Sequence, residues 1–108
     1  MTLLSSIVSQ PEPWAIEPRS ASFGTLAYDR NLVNTSAGAL TATLPAAPLA
    51  GDRIEFVDAR GTFETYPLTL GRNGKKIHGL TSDYDCNVSG RTFMATYVDD
   101  TYGWSITY

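Results

Sequence analysis

The chain has little of almost everything that catalysis draws on. Its 108 residues include one cysteine, Cys86, and one histidine, His78. A single cysteine excludes an internal disulfide framework. Its neighbours Asp85 and Asn87 bring no positive charge to activate the thiol, so it reads as a small packed side chain. His78, in "KKIHGL", has no further soft ligand for zinc and no nucleophile or orienting carboxylate in its own segment. Charged residues are 18% of the chain, the net charge is −3, and only Lys75 and Lys76 place basic residues side by side. That balance excludes the electrostatic footprint of a nucleic-acid binder. No apolar run approaches the roughly 20 residues of a membrane-crossing helix. The opening "MTLLSSIVSQ" lacks the basic flank and long apolar core of a signal peptide. A soluble protein made in the cytoplasm is expected.

The acids do not fill the gap. "SDYDCN" sets Asp83 and Asp85 two apart, but the glycine and closing glutamate of a calcium loop are missing. Asp99 and Asp100 stand in a turn, where acids commonly bond their own backbone. Paired carboxylates of a glycosidase need a cleft, which a domain with such short connections does not build. Phosphate loops, nucleophile elbows and dinucleotide fingerprints are also absent from the sequence. The expectation is a non-enzymatic protein, with no catalytic, cofactor-binding or metal-ligating residue to assign.

What the chain does have is short strands and turns. "LTATL" sets Leu40, Ala42 and Leu44 on one face and Thr41 and Thr43 on the other. "RIEF" alternates in the same way, with Ile54 and Phe56 inward, and "LTL" turns Leu68 and Leu70 together. "WSITY" closes with Trp104, Ile106 and Tyr108 on one side. Thirteen threonines favour strands, and no window sustains a helical apolar period. Turn signals punctuate the runs, the strongest being Asn73-Gly74, which tolerates the positive φ that a two-residue hairpin needs. The pattern predicts an all-β domain over 23–108, a small antiparallel sandwich or barrel of about seven or eight strands.

Residues 1–22 read differently. Pro11, Pro13 and Pro18 forbid regular pairing and favour an extended arm. The arm nonetheless carries Leu3, Leu4, Ile7, Trp14 and Ile16, large apolar side chains that suit partner binding. A second contact is expected on "RTFMATYV", which is apolar on both faces. Phe93 and Tyr97 lie on one face and Met94 and Val98 on the other, and one face is expected to meet a neighbouring subunit.

Set in order, the turns resemble a known domain. Thr35, Ser36 and Gly38 lead to a strand closing on Leu44-Pro45, followed by Gly51-Asp52 and an Asp58–Gly61 corner. A Leu-Thr-Leu strand (Leu68 to Leu70), Arg72-Asn73-Gly74, an Ile77–Gly79 step and Gly103-Trp104 complete the series. This succession, over about residues 32–108, is similar to a β-domain of bacteriophage tail fibres and related virion appendages. The resemblance implies a virion structural protein, typically a homotrimer among other virion proteins, built for attachment and not catalysis. The charge, hydropathy and motifs above add the expectation of no nucleic-acid or membrane partner and no cofactor. Fibres usually carry such a domain inside a longer chain, so a small free-standing fibre, collar, baseplate or capsid-decorating piece is expected here. The alternative is a carbohydrate- or receptor-binding module for host attachment, in which Tyr66, Tyr84 and Tyr102 would stack on a host glycan.

Overall fold

The computed structural model describes residues 17–108, which form eight strands. They are β1 (Phe23–Gly24), β2 (Arg30–Val33), β3 (Leu40–Thr43), β4 (Arg53–Asp58), β5 (Leu68–Gly71), β6 (Tyr84–Cys86), β7 (Thr92–Asp99) and β8 (Gly103–Thr107). Two four-stranded sheets result, in the orders β1-β3-β5-β6 and β2-β4-β7-β8. Alternation works as the sequence indicates. Ala42, Leu68 and Leu70 from one sheet, and Ile54, Phe56, Phe93, Ala95 and Trp104 from the other, are buried together. The intervening Thr41 is exposed, and Glu55 and Thr69 are half-buried.

The expected antiparallel sandwich or barrel is wrong. β1, β3 and β5 run parallel to one another, and β2 runs parallel to β4. Only the pairs β4–β7, β5–β6 and β7–β8 are antiparallel. The fold is all-β with two mixed sheets. The reason lies in the connections. From β1 to β5 each turn carries the chain from one sheet to the facing one, so a strand pairs with the strand two places later. Parallel neighbours need a crossover, and here the crossover is a strand of the opposite sheet. The first half of the domain is thus a coil with one strand per sheet per turn. Residue Arg19, bridged in parallel to Val33, adds the start of an earlier turn at the β2 edge.

Turn chemistry located the bends but not their destinations. Asn73 (φ 50°) and Gly74 (φ 92°) do adopt positive φ, and the Lys75 amide donates to the Arg72 carbonyl over 3.2 Å. The bend does not make a hairpin with the next segment, however. It delivers Ile77 to the other sheet, where it bridges Trp104 in parallel.

Antiparallel β7 and β8 close the second sheet through a bulge. Tyr97 faces Trp104 and Asp99 faces Gly103, leaving Val98 as the extra residue, pushed outward and 45% exposed. Gly103 sits at φ 78°, and a Cβ built there would lie 1.9 Å from the Lys76 carbonyl oxygen. That oxygen accepts a 2.8 Å hydrogen bond from the Trp104 amide. The indole of Trp104 is fully buried, 5.3 Å from the Tyr97 ring centroid at an interplanar angle of 69°.

Gly103→Ala therefore meets both a left-handed backbone and a backbone clash, and should cost more than about 4 kcal/mol, in the range of the worst core lesions. Gly74→Ala, with positive φ but open space around it, should cost about 1–2 kcal/mol. Thermal melts check the ranking. Similar Tm values for the two variants would contradict the close approach at Gly103.

Candidate functional site

The coil gives the molecule two ends. At the upper end, β1, β3 and β5 finish and β2 and β4 begin. It is built from the connections 25–29, 44–52 and 72–83 and the β7–β8 turn. The lower end carries the connections 34–39, 59–67 and 87–91.

The lower end is sealed by polar bonds. The buried Asp58 carboxylate accepts the amides of Thr62 (3.0 Å), Phe63 (3.2 Å) and Gly90 (2.9 Å). Thr35 and Thr62 join hydroxyls over 2.7 Å, and the Glu64 amide donates to Ser89 Oγ over 2.8 Å.

At the upper end the chain repeats itself. "LAYDR" at 26–30 and "LAGDR" at 49–53 fold into the same turn. In the first, the Leu26 amide donates to Asp29 Oδ2 (2.8 Å) and the Asp29 amide to the Leu26 carbonyl (3.1 Å). In the second, the Leu49 amide donates to Asp52 Oδ2 (2.9 Å) and the Asp52 amide to the Leu49 carbonyl (3.0 Å). The third position needs positive φ in both, supplied by Gly51 at 90° and by Tyr28 at 67°. A tyrosine is strained there. Both leucines are 73% exposed, as expected of two copies of one geometry, and the Tyr28 ring is 66% exposed.

The second sheet sets these turns in a row. Tyr28 donates its amide to the Arg53 carbonyl (2.6 Å), and Gly51 donates to the Tyr97 carbonyl (2.8 Å). The row therefore runs from Leu26 and Tyr28 over β2, through Leu49 over β4 and Val98 on β7, to Tyr102 beyond β7. Leu80, 61% exposed, lies in the turn bridged to Ile77. Of the eight exposed large hydrophobics among the described residues, these six are at the upper end, and Tyr66 and Tyr108 are at the lower. A groove of about 120 Å³ opens beside Tyr28, lined also by Asp29, Arg30, Arg53 and Glu55. Arg30 and Glu55 pair across it at 3.3 Å.

A polar cluster flanks the row. Asp100 accepts from the Tyr97 hydroxyl and from Lys75 Nζ (3.0 Å). The bond to Asp100 is the main cause that pushes Tyr97 up to about 12, and the same bond, with Lys75, holds Asp100 below the usual carboxylate range.

The residues singled out from the sequence are dispersed. His78 accepts the Ile106 amide through Nε2 (2.8 Å), so that nitrogen is occupied, and its ring lies near Tyr84 and Tyr102. Cys86 is buried, and burial raises its thiol pKa strongly, so the thiolate is disfavoured. Asp83 accepts the Arg72 amide (3.0 Å) and Asp85 the Thr69 hydroxyl (2.8 Å). Asp99 accepts the amides of Thr101 and Tyr102 within its own turn. Among the described residues no three His, Cys, Asp or Glu side chains converge as a metal site, and no helix is long and apolar enough to cross a membrane. Tyr66 is at the opposite end from Tyr84 and Tyr102, so the three share no sugar-stacking surface. Phe93 and Tyr97 point into the core, while Met94 and Val98 are on the outer face of β7. Leu3, Leu4, Ile7, Trp14 and Ile16 lie outside the described residues. The sequence reading missed Leu26, Tyr28 and Leu49. The repeated Leu-Ala-x-Asp-Arg was the signal that could have found them.

The cluster sets a pH dependence. Tyr97 has its pKa raised on folding, so its contribution is complete below the unfolded value of about 10 and is lost as pH rises towards about 12. Asp100 is lowered, so its contribution is lost only as pH falls below about 3.9, through the folded value. Tyr97→Phe should narrow its Tm deficit relative to wild type between about pH 10 and 12. Tm curves that stay parallel across that window would count against the bond.

Comparison of the sequence with protein-family models and with curated proteins gives no match to either.

Proposed function

We propose that this chain is a structural subunit of a bacteriophage virion, a small fibre, collar, baseplate or capsid-decorating piece. It forms a homotrimer and is held to another virion protein by its N-terminal arm. The observation that carries the reading is the fate of the acids. Asp29, Asp52, Asp58, Asp83 and Asp99 all accept backbone amides at bends. These bonds rigidify a short-looped body, and the apolar side chains left over gather at one end of it. Such a body suits attachment and load-bearing. The motifs behind the resemblance to appendage domains fall on these bends: Thr35 on the bond to Thr62, Asp58 on its three amides, Gly51-Asp52 on the second repeated turn.

The body begins before residue 23. Arg19 exchanges backbone bonds with Leu32 (2.7 Å) and Asn34 (2.8 Å), its guanidinium lies 4.5 Å from the Phe23 ring centroid, and Ser22 Oγ accepts the Thr41 amide. An informative truncation therefore stops at residue 16. The chain lacking 1–16 should melt within a few degrees of full length and be lost from particles assembled in its presence. Full occupancy of the truncated chain, measured by particle mass or cryo-electron microscopy, would overturn attachment through the arm.

A further inference from the structure

We propose that His78 is an acid-labile cap on the edge of the second sheet. Its neutral imidazole stands in for the carbonyl of a neighbouring strand at Ile106, and protonation withdraws it.

The backbone covers the first part of that edge. β8 is the last strand in the order β2-β4-β7-β8. Alternate residues of an edge strand turn their amides away from the partner strand, and in β8 these are Trp104 and Ile106. The segment Lys76–His78 meets Trp104 as the start of a fifth strand. The Lys76 carbonyl accepts the Trp104 amide over 2.8 Å, and the His78 amide donates to the Trp104 carbonyl over 2.8 Å. Then the segment leaves the edge. Gly79 donates to the Tyr102 carbonyl (2.7 Å), and Leu80 folds back on Ile77. Two residues further along β8, the Ile106 amide finds the imidazole Nε2 at 2.8 Å in place of a carbonyl. Uncovered edges are a liability in sheets, and here a side chain prolongs the cover.

The local backbone is set for this contact. His78 has φ 52°, in the left-handed region, although a glycine stands next to it at position 79 with φ 75°. A side chain held at such a φ costs free energy. What it supplies here is the acceptor at Ile106.

That bond defines the protonation state. A ring nitrogen that accepts an amide hydrogen is itself unprotonated, so the neutral ring carries its hydrogen on Nδ1. An imidazolium has a donor on each nitrogen and no acceptor. Protonation therefore sets two donors face to face at Ile106, and the edge bond is lost. The contribution is present while the ring is neutral and disappears as pH falls, the opposite direction to that of Tyr97.

The surroundings leave His78 as the group that responds. Against the ring lie Tyr84 of β6, 5.5 Å between centroids, and Tyr102 of the β7–β8 turn, at 6.0 Å. Burial, then Cys86 and Tyr108, raise the Tyr84 phenol, so it carries no charge while an imidazole titrates. On the segment of His78 itself stand Arg72, Lys75 and Lys76. Arg72 donates to the Lys75 carbonyl, and Lys75 pairs with Asp100. The nearby acids are engaged elsewhere: Asp83 with the Arg72 amide, Asp85 with Thr69, and Asp99 with the amides of its own turn. Among the described residues no carboxylate pairs with the ring, so none of them holds the imidazolium in place. The chain has no other histidine, the side chain that ordinarily changes charge between about pH 5 and 8.

NMR on the labelled full chain tests the cap. At pH 8 the imidazole nitrogen shifts should report the Nδ1–H tautomer. Between pH 8 and pH 5 the protection of the Ile106 amide against exchange, corrected for the intrinsic pH dependence, should fall relative to that of Trp104. A fall of about tenfold or more is expected from the loss of one hydrogen bond. His78→Gln, whose Oε1 accepts at any pH, should keep that ratio constant. The proposal is overturned by an Nε2–H tautomer at pH 8, by a wild-type ratio that stays constant down to pH 5, or by an equal fall in His78→Gln. The two wild-type readings decide the matter even where the variant does not fold. Loss of the cap reading leaves the virion reading untouched, since the cap belongs to the domain by itself.

Discussion

Wherever the chain crosses from one sheet to the other, its backbone amides leave the strand ladder and need another acceptor. A buried amide without one costs about 1–3 kcal/mol, and at most of these crossings a side-chain carboxylate meets the need. Asp58 is the extreme case, gathering three amides from two connections into one buried site. Asp29 and Asp52 do the same work singly at the opposite end. The coil is possible because these short side chains take over at the bends what a neighbouring strand supplies elsewhere. Acids so engaged are poor candidates for chemistry.

Much of the core was legible. Period-two alternation identified Ala42, Ile54, Phe56, Leu68 and Leu70 as inward, because a pleated strand leaves little choice once one face is buried. Topology was not legible by the same means. A Gly-Asp or Asn-Gly bend reports that the chain turns, and says nothing about which strand it then meets. Connections of five to nine residues, such as 25–29 and 44–52, were the better guide, being longer than the two-residue loops that join hairpin strands. On β7 the strand was readable and the face was not. Phe93 and Tyr97 alternate with Met94 and Val98, and only the facing sheet decides which pair becomes core. The upper-end site went unread because Leu26 and Leu49 lie between the alternating runs, and only the repeated Leu-Ala-x-Asp-Arg relates their turns.

The two ends differ in kind. Below, hydroxyls and a carboxylate close the body with directional bonds, and few large apolar groups reach solvent. Above, the same type of carboxylate turn holds leucines outward. Burying an exposed leucine contributes roughly 1.5–3 kcal/mol, so the leucines gain most from a cover that the described residues do not give them. Tyr97 and Asp100 sit at the boundary, tying the β7–β8 turn to Lys75 and so fixing the far side of the apolar row.

The repeated turn also bears on how such a body can change in length. Leu26 and Leu49 begin equivalent bends 23 positions apart. In each, the aspartate carboxylate accepts the leucine amide while the third residue donates its amide to the neighbouring strand of the second sheet. One circuit of the chain therefore closes its corner with its own aspartate and depends on its neighbours through strand pairing and one further amide bond at the bend. Duplicating a circuit would add a strand to each sheet and one more outward leucine, leaving the Asp58 closure and the β7–β8 edge as they are. Height, for this architecture, is a variable that gene duplication can adjust in whole steps.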